Sequence, residues 1–344
     1  MPNPFFYAGK IEDPACFVGR QNELKRIFGA LETTHTGQVQ HISIVGPRRI
    51  GKSSLLAQVI HIAPRLLPGA ERCCFVSIDL TDARCHTLAG LTARMIHALG
   101  VDGLPDGSPL ERLTEAVESF QAARGQTPVF CLDEFERLSG SPQEFPDTLY
   151  DAWRSLGANN RCAFLVASQA SLHDLAGQGR LTSSFFNIFT RLELGELPER
   201  EARQLVERGL NCDRPFTLRE CNDLLRLAGS HPYRLQVAAS LLYQAKSSPP
   251  VDWRALEKDY RQQNDFIFAP PRPAFGQRLS IAGRDILRWP AWIGRFILEL
   301  FGRKDFSQGT ALLLGYVLLL LLLALAAGWL SPELIKQAWL FFNR

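Results

Sequence analysis

Residues 41–56 read "HISIVGPRRIGKSSLL". The opening, His41 to Val45, is a short apolar run that suits a buried strand. From Lys52 to Ile60 the pattern predicts a helix. Between them, Gly46, Pro47, Arg48, Arg49, Ile50, Gly51, Lys52 and Ser53 fit the phosphate-loop pattern G-x-x-x-x-G-K-[ST]. A phosphate needs several N–H donors converging on it. A glycine-rich turn from strand into helix supplies them from the backbone, with the helix dipole behind. Gly46 and Gly51 allow the tight path. Lys52 can reach the β- and γ-phosphates, and Ser53 can ligate magnesium. The whole stretch from Gly46 through Ser54 is therefore the expected nucleotide cradle. The plainer alternative is a glycine turn without a ligand, and the flanking strand and helix count against it.

Further strands are expected at "CCFVSIDL" (73–80), "PVFCLDEF" (128–135), "RCAFLVASQ" (161–169) and "IFTRLELGEL" (188–197). Leu24, Ile27, Phe28 and Leu31 follow helical spacing, and "LAGLTARMIHALG" and "LERLTEAVESFQAAR" also read as helices. Strands alternating with helices predict an α/β fold, a parallel sheet covered on both faces. After about residue 196 the strands stop and helical patterns continue to about Phe268. No repeat of 20 to 50 residues is present, which excludes a solenoid or propeller.

The third strand ends in Asp133 and Glu134. Beside a phosphate loop, an aspartate at a neighbouring strand end holds magnesium, and Glu134 is placed to polarise an attacking water. In isolation such a pair is as well explained by a solvated loop. Ser168 and Gln169 end the fourth strand, on the side where ligands bind in open parallel sheets. Either could bond a γ-phosphate or the water, or simply cap the strand.

In order along the chain, "FVGRQNEL", "GPRRIGKSS", "VFCLDEF", "ASQ" and "GSHPYRLQ" resemble the signal-transduction ATPases with numerous domains (STAND). With the archaeal-type ATPases, these belong to the AAA+ group of P-loop NTPases. The resemblance covers roughly residues 15–245. It implies ATP and Mg²⁺ as cofactors and ATP hydrolysis as the activity. It implies that Phe17, Val18 and Arg20 lie near the adenine and the base of the site. It implies that Gly229 and Pro232 begin a lid helix touching the adenine, and that Arg234 senses the γ-phosphate, with plain lid packing as the alternative for Arg234. Two departures stand out. No winged-helix module or repeat array follows, and no arginine finger is evident. Arg180 and Arg191 lie in the right region for a finger acting across the subunit interface of a homo-oligomeric ring, and the sequence does not choose between them.

Composition bounds the rest. The chain has 344 residues, 46% hydrophobic and 21% charged, with a net charge of +3. It is not disordered as a whole, and the charge is too mild to argue for nucleic acid. The eight cysteines form no C-x-x-C pair, so zinc and thioredoxin-type chemistry lack support, and a reducing compartment is expected. No secretory signal opens the chain. Ala311 to Leu330 is 20 residues without a charge, matching the length that crosses a bilayer. A buried core helix is the alternative, less suited because no polar face is present. "APPRPAFG" (269–276) reads as a stiff linker. Between Arg272 and Lys304, seven basic residues and two acids accompany an apolar stripe through Trp289, Trp292 and Phe296. That pattern suits a membrane surface or docking on the lid.

The expected organisation is an ATPase α/β domain (1–196), a helical lid (197–268), a linker with a juxtamembrane helix (269–310), a transmembrane helix (311–330) and a short tail (331–344). Basic flanks place the ATPase in the cytoplasm, with a single pass through the membrane (the inner membrane, if bacterial). The expected function is a membrane-anchored Mg-ATP-hydrolysing switch whose nucleotide state controls oligomerisation or recruitment of an unidentified protein partner. The alternatives are a nucleotide-gated scaffold without meaningful turnover and a DNA-handling AAA+ ATPase. The mild charge and the missing winged helix count against nucleic acid.

Overall fold

The computed structural model describes residues 3–5, 9–36 and 38–268. Five strands form one sheet: β1 (His41–Val45), β2 (Cys73–Asp79), β3 (Thr127–Asp133), β4 (Ala163–Ser168) and β5 (Phe189–Glu193). Their order is β2-β3-β4-β1-β5 and every pairing is parallel. Seven helices lie before or between the strands: α1 (Gln21–Glu32), α2 (Lys52–Leu66), α3 (Leu88–Leu99), α4 (Pro109–Arg124), α5 (Glu136–Ser139), α6 (Asp147–Ala158) and α7 (Leu172–Gly179). Four follow the last strand: α8 (Glu199–Glu207), α9 (Leu218–Ala228), α10 (Pro232–Ala245) and α11 (Trp253–Phe268).

The sheet is buried on both faces, so its central strands are largely apolar rather than alternating. All five residues of β1 and all six of β4 are buried. Alternation still sorts their side chains. Phe130, Leu132, Phe164 and Val166 join the core under α3, α4 and α6. Val129, Cys131, Leu165 and Ala167 join the core under α1 and α2. Ser108 and Glu111 start α4 as a reciprocal capping box, and Thr217 and Glu220 do the same for α9. All eight cysteines are free thiols, five of them buried.

The path of the chain through the sheet reverses at β1. This strand lies between β4 and β5, and the chain crosses from it to β2 at the far edge before working back. A ligand site is expected at such a reversal, outside the carboxyl ends of the strands. The pairings Val45–Ser168, Val45–Glu193 and Asp79–Asp133 bring those ends level.

One part of the expected fold class is corrected. Among the described residues no helix is long and apolar enough to cross a membrane. The longest, α4 and α11, have 16 residues each. They span about 24 Å at 1.5 Å per residue, short of a hydrocarbon core of about 30 Å. They are also amphipathic covers, and α4 alone carries Glu111, Arg112, Glu115, Glu118 and Arg124. The transmembrane helix and the single-pass membrane localisation are therefore unsupported. The stretches 269–310, 311–330 and 331–344 lie outside the described residues. The chain divides into two units, Met1–Ile267 and Phe268–Arg344, and of the second only Phe268 is described.

Candidate nucleotide site

The loop from Gly46 to Gly51 leaves β1 and enters α2. It is anchored on both sides: Gly46 N–H donates to Ser168 O (3.2 Å), and Leu194 N–H donates to Val45 O (2.7 Å). A side chain at Gly46 would meet Leu194 O at 2.6 Å, so only glycine fits there. Gly51 turns the chain into the helix at φ 103°, a left-handed conformation open to glycine. Arg49 also sits at positive φ, 63°. Successive residues of mixed handedness turn backbone N–H groups to one side, the concave arrangement that binds anions.

Lys52 is the first residue of α2 and is 6% exposed. Its Nζ donates to the carbonyls of Gly46 (2.8 Å) and Pro47 (3.1 Å), which holds the ammonium inside the loop. Burial pushes its pKa below the usual lysine range, while the carboxylates of Glu134, Glu136 and Asp133 act in the opposite sense.

β3 delivers the acids. Ser53, the second residue of α2, lies near enough to Asp133, the last of β3, for its hydroxyl to act on the carboxylate. Burial raises the Asp133 pKa, and the nearby Ser53 hydroxyl opposes that rise. Glu134 leaves the strand at φ 57°, its N–H bonded to Asp133 Oδ1 (3.0 Å). A non-glycine residue held there stores strain, a pattern that clusters at functional sites. Glu136, two residues on, also faces this group, and burial raises its pKa. Sequence reasoning passed over Glu136; its signal was an acid in the first turn of the short helix after the Asp–Glu pair.

β4 ends in two residues with different fates. Ser168 is fully buried, and its hydroxyl donates to Ala170 O (2.7 Å). Gln169 is the residue that faces the acids. Its N–H donates to Glu136 Oε2 (3.4 Å), its amide nitrogen donates to Glu134 Oε2 (3.4 Å), and its amide oxygen accepts from Arg48 Nε (3.2 Å).

The remaining candidates frame the loop. Phe17 packs against the core under α1 and α2, and Val18 is half-buried. Arg20 is 3% exposed, at φ 62°. Its guanidinium pairs with Glu23 (3.1 Å) and donates to the carbonyls of Ile50 (3.1 Å) and Gly195 (2.6 Å). Its backbone N–H donates to Glu201 on α8 (2.8 Å). Ile50 is buried and Pro47 exposed. The Ser54 hydroxyl accepts from Ile11 N–H (2.9 Å) and so faces the N-terminal segment. Gly229 ends α9 and Pro232 opens α10. Next to Pro232, the Tyr233 ring carries the Arg49 guanidinium 5.0 Å from its centroid. Arg234 is half-buried one residue further on, and with Arg20 it helps depress the pKa of His231. Arg180 is exposed, at φ 54°, at the end of α7. Arg191 is exposed on β5 and ion-paired with Glu193 (2.6 Å).

Lys52, Ser53, Asp133, Glu134, Gln169 and Arg48 thus form one group at the carboxyl ends of β1, β3 and β4. A buried ammonium at the mouth of a glycine loop, acted on by three carboxylates, suits a phosphate carrying a hard cation.

Residues 16–165 match the family model of the AAA ATPase domain. No curated protein sequence matches the chain. Several solved structures share its fold. The ORC2 protein of Aeropyrum pernix, solved in ADPNP–ADP complexes, is 17% identical with a TM-score of 0.62; the match covers 90% of this chain and 81% of that one. A Walker-type ATPase of Pyrococcus abyssi is 17% identical with a TM-score of 0.57, covering 91% and 92%. The Aeropyrum pernix ORC1 protein in complex with DNA is 17% identical with a TM-score of 0.51, covering 86% and 76%. At such identities the likeness is one of fold.

Proposed function

We propose that this chain, with an AAA ATPase domain over residues 16–165, is an ATP-hydrolysing switch of the STAND type. The observation that carries the reading is Lys52, held inside the loop by the Gly46 and Pro47 carbonyls, with the carboxylates of Glu134, Glu136 and Asp133 acting on it. The proposed organisation is an ATPase domain over 1–196 and a helical lid over 197–268. ATP binds along Gly46–Ser54, with backbone N–H groups around its phosphates and Lys52 on the β- and γ-oxygens. Phe17, Val18 and Pro232 flank the adenine. Arg20 supports the loop from beneath through the Ile50 carbonyl, and Arg234 reads the γ-phosphate from the lid.

Ser53 and Asp133 supply hard oxygen donors, the set that suits magnesium, with phosphate oxygens and water to complete its shell. Magnesium held there would neutralise charge on the phosphate oxygens. Glu134 accepts a proton from water as its oxygen attacks the γ-phosphorus. The bond from that phosphorus to the β–γ bridging oxygen breaks, and ADP leaves. Gln169, rather than Ser168, is the strand-end group offered to this chemistry, because the Ser168 hydroxyl is committed to Ala170.

The test is Glu134→Gln. It should bind ATP like the wild type and lose hydrolysis by about 100-fold or more. Lys52→Ala should lose binding. Unchanged turnover in Glu134→Gln removes Glu134 from this role. A wild type that binds ATP without turning it over makes the chain a nucleotide-gated scaffold instead. The oligomeric state with ADP and with a non-hydrolysable ATP analogue then reads the switch directly. The DNA-bound ORC1 structure is the one observation behind a second reading, DNA handling. Salt-dependent DNA binding by the full chain would support it.

A further inference from the structure

The two neighbouring arginines of the loop part company. Arg49 goes to Tyr233 on α10, and Arg48 goes to Gln169 at the end of β4. Resting on the hydrolytic reading above, we propose that Arg48 is a positioning residue: it fixes the side-chain amide of Gln169 so that its nitrogen, not its oxygen, faces Glu134.

The argument is one of donor and acceptor inventory. A guanidinium only donates, and an ionised carboxylate only accepts. A primary amide does both, through two ends of nearly equal size. Between Arg48 and Glu134, one orientation satisfies both neighbours: oxygen to Arg48 (3.2 Å) and nitrogen to Glu134 (3.4 Å). The reverse orientation sets donor against donor and acceptor against acceptor. The Gln169 main chain is already pinned, because its N–H donates to Glu136. Its side-chain torsions are the freedom left, and Arg48 removes that freedom. Glu134 has its own constraint, at φ 57° with its N–H on Asp133. The amide of Gln169 then fixes the carboxylate end. A base held in place needs no reorganisation when water arrives, and a misplacement of about 1 Å can cost 100-fold. Arg48 itself stands close enough to Lys52 to lower its pKa, so the residue that sets the amide belongs to the phosphate-binding loop. The loop and the general base are joined by one side chain.

The experiment measures kcat, KM for ATP, and equilibrium binding of a fluorescent ATP analogue for Arg48→Ala, Gln169→Ala, Gln169→Glu and the double alanine variant. Arg48→Ala and Gln169→Ala should each lower kcat by about 10- to 100-fold, and Gln169→Ala should do so with little change in analogue affinity. The double variant should fall no further in kcat, because Arg48 acts on Glu134 only through Gln169. Gln169→Glu keeps size and the bond to Arg48 yet offers Glu134 no donor, and should lose as much as Gln169→Ala. Multiplicative losses in the double variant, or an active Gln169→Glu, overturn the relay. Crystal structures of the wild type and Arg48→Ala read the relay without turnover. Gln169 should contact Glu134 in the first and leave it in the second. A Gln169 that stays in place in Arg48→Ala overturns the proposal. A wild type with this geometry intact but no hydrolysis overturns the hydrolytic reading instead.

Discussion

The Arg49 guanidinium lies 5.0 Å from the centroid of the Tyr233 ring, which ties the phosphate loop to the first turn of α10. Such a contact contributes about 0.5–1 kcal/mol at an exposed site. Its position matters more than its size, because phosphates in the loop compete for the same cation. Arg49→Ala should lower unfolding stability by no more than about 1 kcal/mol, while Tyr233→Ala also removes a buried ring and should cost about 3 kcal/mol or more. ATP is expected to protect residues 197–245 from proteolysis, and each variant should weaken that protection. Equal protection in wild type and variants would separate α10 from the loop.

Arg20 predicts a larger effect. It is buried, and two backbone carbonyls and Glu23 depend on its guanidinium. Arg20→Ala leaves buried acceptors and a carboxylate without their donor, a change of about 3 kcal/mol. Arg20→Lys keeps the charge but not the planar fork that reaches Ile50 and Gly195 together. Chemical denaturation should rank wild type above Lys above Ala, with ATP affinity following the same order.

Acid should destabilise the fold through His41. It is 6% exposed, its Nδ1 accepts the Phe164 N–H (3.1 Å), and burial lowers its pKa from 6.5 to about 4. The folded pKa lies below the unfolded one, so the unfolded chain binds protons first. Stability is full above about pH 6.5 and falls as pH drops toward 4, by about 3 kcal/mol for this group. His231, lowered to about 4 by burial and then by Arg234 and Arg20, adds to the same window. His41→Asn, which keeps an acceptor near Nδ1, should flatten the denaturation midpoint between pH 6.5 and 4.5. A midpoint as steep as in the wild type would exclude His41.

Trp153 is fully buried on α6, with ring centroids 5.4 Å from Phe164 and 5.7 Å from Phe185. Trp153→Ala should cost about 3–5 kcal/mol, because an interior packed with rings refills poorly. Trp153→Phe should recover more than half. The measurement is thermal or urea unfolding, with ATP affinity at low temperature as a control for the distant loop.

Much of the core of this arrangement is legible in the sequence. The loop, the strand before it and the helix after it are local, and their signals need no tertiary information. The helix runs further than expected, to Leu66, because Pro64 lies near its end. The third strand stops at Asp133, not Phe135, since Glu134 turns left-handed. The helices at 147–158 and 172–179 escape a reading by pattern, because Gly157 and the short apolar runs there give weak periodicity. Strand order, which puts β1 between β4 and β5, is a long-range choice and leaves no local mark. The partners of Gln169 and the buried fork of Arg20 are invisible for the same reason: contacts between residues 30 to 175 apart in the chain arise from packing. The membrane expectation failed on a different ground. It rested on residues 311–330, and every described helix is a cover for an interior.

Glu134 carries one more consequence. A residue with a side chain at φ 57° costs roughly 1 kcal/mol that glycine would not. Glu134→Gly should therefore fold more tightly than the wild type, with its carboxylate gone. Selection for robustness alone would drift this position toward glycine, and Glu134 stands there instead at positive φ.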